Sequence, residues 1–200
     1  TPFHPRSPYG CAKAFAHSAN REAVVWFEQA LQALRHLPET VETQAEIIDV
    51  HLGLRNALTL LGEHERTLEH LRQAEALAGA GDRARLGRVL SFEANALLLL
   101  GRHEQAIDAG RRARDLANER GDVPLRTATD LYVGRAHLFL GNFQEAIEIF
   151  QGVVAALAGA RARDHLGLPI LPSVFARSHL VECLVELGRF ADSARCADEA

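Results

Sequence analysis

The sequence predicts an all-α fold, a solenoid of stacked helical hairpins with about five copies and about ten antiparallel helices. Three observations predict it. A short frame (apolar or acidic residue, Leu, Gly, any residue, aromatic or His) recurs around Gly62, Gly101, Gly141 and Gly188, at spacings of 39, 40 and 47 residues. Apolar residues before and after each glycine recur at helical period. No stretch alternates at period two between turn signals, so no sheet is expected.

Composition fits this reading and removes others. The chain has 200 residues, a formal net charge of −4, 48% apolar residues and 24% charged ones. That is enough for a sizeable core, too apolar for a disordered tail, and without the ~20-residue apolar run of a membrane span. The mildly acidic balance argues against nucleic acid, and neither nucleic acid nor membrane is an expected partner. Cys11, Cys183 and Cys196 have no CxxC spacing, which fits neither a disulfide framework nor a zinc site and is most simply met in a reducing cytoplasm. There is no methionine, and Lys13 is the single lysine beside 21 arginines. With no start residue, the sequence is expected to be a fragment or a processed chain, and the arginine bias is most simply that of a GC-rich coding background.

Residues 1–9 carry Pro2, Pro5 and Pro8, lack a basic and an apolar region, and read as an extended lead-in rather than a signal peptide. The rest, 10–200, reads as one solenoid domain. Copy one, about 10–37, contains "HSANREAVVWFEQAL", with Ser18 in place of the glycine. Val24, Val25, Trp26 and Phe27 look strand-like, but helix-forming flanks overrule them. Copy two, about 40–79, has Leu52, Leu54, Leu58, Leu60 and Leu61 before Gly62. Copy three, about 83–120, has Leu86, Val89, Leu90, Leu97, Leu98 and Leu100 before Gly101, then Ala106, Ile107, Ala113 and Leu116. Copy four, about 123–158, has Ala146, Ile147, Phe150 and Val154 after Gly141. Copy five, about 171–200, surrounds Gly188. The turn glycines close each first helix in a left-handed conformation. Gly79-Ala80-Gly81-Asp82 and Gly121-Asp122-Val123-Pro124 return the chain after second helices. Residues 159–172 form a loop broken by Gly159, Gly167, Pro169 and Pro172, whose Leu166, Leu168, Ile170 and Leu171 are expected to fold back on the solenoid.

This frame resembles the tetratricopeptide (TPR) repeat. Small residues stand at the helix crossing (Ala94, Gly134), turn aromatics at Phe143 and Phe190 with His64 and His103 in the same slot, and helix B alanines at Ala23, Ala106 and Ala146. The resemblance implies a right-handed superhelix; spacings above the ~34 of the plain repeat imply longer helices. Residues 18–40, 49–64 and 167–190 also look like the C-terminal helical-repeat region of bacterial multidomain signalling ATPases, many of them fused to class III adenylate or guanylate cyclases. That likeness implies a sensor or interaction segment of a regulator whose cyclase and ATPase functions lie in other domains.

Motifs for chemistry are weak. Gly79-Ala80-Gly81-Asp82-Arg83-Ala84 spells a dinucleotide motif, but it needs a strand before it and here follows a helix. A P-loop needs lysine after glycine, and Lys13 follows Ala12. His64-Glu65 and His103-Glu104 lack the second zinc-binding histidine one turn on, where Leu68 and Ile107 stand, so packing explains them better. Cys183 and Cys196 fall in apolar helix patterns and read as core. Arg111, Arg112, Arg114 and Arg120 read as a solvated face balanced by Asp108, Asp115 and Glu119. No catalytic residue, cofactor site or metal site is expected.

The remaining candidate is the concave groove lined by first helices. Six residues before each turn glycine stand Asn56, Asn95, Arg135 and Glu182, a polar ladder suited to an extended peptide. Arg88 and Ser91 lie one turn and more earlier, beside Asp49, Phe175, Leu52, Leu131 and Ser178. The expected function is therefore a non-catalytic interaction or sensor module binding a protein, a peptide or other domains of the same polypeptide. An alternative is the small-molecule effector arm of an ATP-dependent transcriptional activator, which a closed, partly apolar pocket would favour over an open polar groove. A last repeat cut short at Ala200 is expected to leave an apolar face for self-association.

Overall fold

The computed structural model describes residues 8–79, 81–166, 168 and 170–198, with side chains from residue 19 onward. Among them the chain forms nine α-helices and no strand: α1 (Pro8–Leu34), α2 (Val41–Leu61), α3 (His64–Ala78), α4 (Arg83–Leu99), α5 (His103–Arg120), α6 (Val123–Phe139), α7 (Phe143–Ala156), α8 (Pro172–Glu186) and α9 (Phe190–Asp198). A 3-10 helix, Gly159–Arg163, lies between α7 and α8.

The hairpin turns share one hydrogen-bond scheme. After α4, Gly101 donates to the Leu98 carbonyl at 3.1 Å and Arg102 to the Leu97 carbonyl at 2.9 Å, the Schellman pattern that satisfies the last carbonyls of a helix. It requires a left-handed residue, and Gly62, Gly101, Gly141 and Gly188 have φ of 78, 73, 77 and 70°. The same pair of bonds closes the turns at Gly62, Gly141 and Gly188. The following helix starts at the aromatic-or-His slot: His64, His103, Phe143 and Phe190 are first residues of α3, α5, α7 and α9.

Copy one departs from expectation. A single helix, α1, runs without a break through Ser18, so four hairpins are preceded by one helix, nine α-helices among the described residues against the expected ten or so. Ser18 lacks the conformational freedom that makes glycine a helix stop, and the flanking residues favour continuation. Pro8 and Tyr9, expected in the lead-in, already belong to α1, where proline is tolerated in the first turn; residues 1–7 lie outside the described residues. The Val24–Phe27 stretch is helical as predicted.

The chain divides into two compact units, Thr1–Gly81 and Asp82–Ala200. In the first, α1 and α3 both pack on α2, and Val24 and Leu31 of α1 join Leu54, Ala57 and Leu58 of α2 in one buried cluster. In the second, α4 to α9 pack as three hairpins, with first helices α4, α6 and α8 adjacent in sequence of copies. Helix B small residues occupy the crossings, with Ala106 and Ala146 wholly buried. Gly134 meets α7 so closely that a Cβ there would lie 2.8 Å from the Phe150 ring, and Gly110 meets α6 more closely still, 2.3 Å from Val133 Cγ2.

The 159–172 loop folds back where it is described. Leu166 and Leu168 pack on the cluster of Ile147, Phe150 and Leu180, and the Ser173 hydroxyl donates to the Ala162 carbonyl at 2.6 Å. Gly167 and Pro169 lie outside the described residues. The two return turns are helix-to-helix connections, capped by Asp82 accepting from Arg85 N–H and Asp122 from Leu125 N–H, each at 2.9 Å. Ala80, in the first of them, lies outside the described residues.

Candidate functional site

The predicted ladder separates into three environments. Asn56 on α2 is exposed, in the first unit. In the second unit, Asn95 on α4 and Arg135 on α6 are half-buried and Glu182 on α8 is exposed. These three hold one repeat position on the first helices of three packed hairpins, so they share a face. Arg88 on α4 is exposed. Ser91 does not belong to that surface: it is 1% exposed, and its hydroxyl shares a 2.8 Å hydrogen bond with Thr129, which also donates to the Leu125 carbonyl at 2.8 Å. Four residues along a helix advance it by some 40° beyond a full turn, enough to carry Ser91 from the rim of the face into the α4–α6 contact. Leu52 and Leu131 at the same register are likewise buried.

Arg135 is the centre of the face. Its guanidinium lies 5.7 Å from the Phe139 ring one turn on and 5.5 Å from the Phe175 ring of α8, within cation–π range of both. The stacking continues outward. Phe139 stacks on His103 at 5.2 Å between ring centroids, and Phe175 meets His179 edge-on at 4.5 Å. His179 also stacks on Phe150 at 5.5 Å. It sits 2.9 Å from Glu182 Oε2 through Nδ1, and because a carboxylate only accepts, that nitrogen carries the proton. Burial lowers the Arg135 pKa below its usual range, while Tyr132 and Glu182 act the other way. Arg135 Nε and His179 Nε2 are buried with no hydrogen-bond partner.

The face therefore offers a half-buried cation beside an exposed anion, on an aromatic bed. The repeat frame does not single out Phe139 and His179, although each stands at contact spacing on its own helix, four residues after Arg135 and three before Glu182. Phe175 enters that frame only as a neighbour in register.

The other candidates resolve as packing. His103 stacks as a turn aromatic, and Phe143 joins the α7–α8 core. Phe190 does not: it is 67% exposed, beside exposed Val185 and Leu187, because no described element lies over that side of α9. Cys183 is buried, and burial pushes its thiol up to about 11, the reverse of an activated nucleophile. Cys196 is half-buried; the Cys11 side chain lies outside the described residues. In the arginine cluster, Arg114 Nε stands 2.8 Å from Asp130 Oδ1 and Arg111 is 3.7 Å from Asp108. Burial raises the Asp130 carboxyl above its usual range, and Arg114 and Arg126 pull it back. Among the described residues no group of three or more His, Cys, Asp or Glu is placed to hold a metal, and no catalytic constellation is evident.

No protein-family profile and no curated protein matches the chain. Solved structures do. The nearly identical TPR-like repeats of a kinesin light chain-like protein from Podosopora anserina align at 19% identity and TM-score 0.68, over 92% of this chain and 91% of that one. Aspartyl phosphate phosphatase F from Bacillus subtilis aligns at 16% identity and TM-score 0.74, over 94% of this chain and 47% of that one.

The fold is TPR-like.

A further TPR-like neighbour, a Rap protein complexed with competence and sporulation factor, aligns at 16% identity and TM-score 0.70, over 92% of this chain and 49% of its own. This chain thus spans about half the length of the phosphatase and of the Rap protein. At such identities the likeness is one of fold.

Proposed function

We propose that this TPR-like chain is a non-catalytic protein–protein interaction module whose second unit receives an extended peptide, or a segment of a partner domain, across α4, α6 and α8. The observation that carries this is the setting of Arg135. A cation half-buried between Phe139 and Phe175, with Glu182 nearby, is pre-organised to exchange its hydration for a ligand carboxylate or carbonyl at small entropic cost. Arg88 and Glu182 are exposed beside half-buried Asn95 and Arg135, a partly polar surface that favours a peptide over an enclosed small molecule. The Rap neighbour, solved with a factor bound, supports the same use of the fold.

Adjacent helix axes lie ~8–10 Å apart, about three residues of extended chain. An acidic ligand residue on Arg135 and a basic one on Glu182 therefore stand about three apart. Display of random extended peptides against the wild-type chain tests the reading. Enrichment of peptides that the Asn95→Ala/Arg135→Ala double variant no longer captures supports it, and equal capture by both proteins retires it.

The words shared with helical-repeat regions of bacterial signalling ATPases support a place as the control segment of such a cytoplasmic regulator, whose other domains are then further partners; the full-length reading frame tests that. No helix among the described residues is long and apolar enough to cross a membrane. Exposed Val185, Leu187 and Phe190 support self-association there, which light scattering of wild type against Phe190→Asp tests.

A further inference from the structure

A cleft of about 390 Å³ opens among α7, α8 and α9, on helix faces that the peptide-binding reading does not use. Its floor is apolar. Leu180 and Leu184 are 6% and 3% exposed and stand two residues either side of Glu182, a rotation of about 200° that puts them on the other side of α8. Its rim is cationic: Arg177 from α8, Arg189 at the α8–α9 turn and Arg195 from α9 all line it, with Asp192 as the one carboxylate. Three positive charges and one negative leave the cleft with a net charge of +2.

The four charged groups are not equivalent. Asp192 ties the two rim arginines together: Arg189 Nε donates to Oδ2 at 2.9 Å, and Arg195 Nη2 bonds Oδ1. Both arginines hold the carboxyl of Asp192 below its usual range, the Arg189 hydrogen bond most strongly. Each guanidinium has five N–H donors and commits only part of them to this carboxylate. Arg177 has no ion pair among the described residues, and its Nε is buried without a hydrogen-bond partner. Arg177 is half-buried, and a bound anion supplies the acceptor that its buried Nε lacks.

We propose that this cleft is a binding site for a small amphipathic anion, with a carboxylate or phosphate head on Arg177, Arg189 and Arg195 and a short apolar tail on Leu180 and Leu184. The volume lies within the ~300–1,000 Å³ of small-molecule sites, and the planar guanidinium fork suits either head group. The cleft is separate from the Arg135 face, so either site stands or falls without the other.

Calorimetric titration of the whole chain with octanoate, octyl phosphate, octanol and inorganic phosphate tests the proposal. Octanoate or octyl phosphate is expected to bind at least about tenfold more tightly than octanol, because only they use the arginines, and than inorganic phosphate, because only they cover the floor. Whichever head binds more tightly names the head-group chemistry. Arg177→Leu and Arg195→Ala are each expected to weaken binding about fivefold or more. Arg195 is 77% exposed, so its variant leaves folding intact even where Arg177→Leu does not. Octanol matching octanoate, absence of saturable binding by both anions, or unchanged affinity in a folded Arg195→Ala chain would overturn it.

Discussion

His51 on α2 and His70 on α3 face each other through their Nδ1 atoms at 3.1 Å, with ring centroids 5.2 Å apart. A hydrogen bond between two imidazole nitrogens needs one donor and one acceptor, so the pair holds in the neutral state and breaks when both rings are protonated. Burial, then the nearby His70 and Arg35, push His51 down from 6.5 to about 4. Burial and Arg66 also lower His70, opposed by Glu28 and Glu69.

An acid-sensitive first unit follows. Since the folded pKa of His51 lies below its unfolded value, the unfolded chain binds more protons between the two. The contribution is complete above about pH 6.5 and is lost as pH falls towards 4. The expected loss is ~2 kcal/mol over that window. Urea unfolding of wild type and His51→Leu at pH 7.5 and 4.5 checks it: wild type should lose stability relative to the variant at the lower pH.

The close helix crossings predict opposite effects for two glycine substitutions. Gly110→Ala places a methyl against Val133, whose β-branched side chain has little freedom to turn away, and should destabilise by ~1–3 kcal/mol. A methyl on Gly152 in α7 would meet nothing within 4 Å, so Gly152→Ala should stabilise by up to ~1 kcal/mol through helix propensity. Thermal melts followed by circular dichroism read both signs.

Ala146 is fully buried where α7 crosses its hairpin partner. Ala146→Glu leaves an unpaired charge there and should lower stability by ~2 kcal/mol or more. An unchanged melt would contradict the packing register of the whole fourth copy.

Reversal of the charges on the α6–α8 face should reverse ligand preference. Arg135→Glu/Glu182→Arg is expected to select peptides with acidic and basic residues exchanged relative to the wild type, read by sequencing displayed peptides. Retention of the original order by a folded double variant would show that these side chains do not read charge.

The hairpins and their turns are legible in the sequence because their determinants are local. Gly62, Gly101, Gly141 and Gly188 announce left-handed turns, and Ala106, Ala146 and Gly134 announce close crossings. Copy one is not a hairpin, because Ser18 matches the repeat frame in position but carries no stop signal of its own. The ladder is legible as a register but not as a surface. Whether Ser91 lies on the rim or under it depends on how α4 rotates against α6, a tertiary quantity fixed by the Ser91–Thr129 contact. The setting of Arg135 is hidden for the same reason, since Phe175 lies 40 residues away in sequence. The arginine cleft joins α7 to α9 across the 159–172 loop, a distance that no local pattern spans.

Two registers only four residues apart on the same helices have separate duties, Ser91 and Leu131 below the surface and Asn95 and Arg135 at it. On the proposed reading, substitutions at the upper register alter recognition while the buried contacts that hold the hairpins stay in place. On that reading, partner choice would then drift by single-residue steps, and the face would be re-specified from a library randomised at three codons.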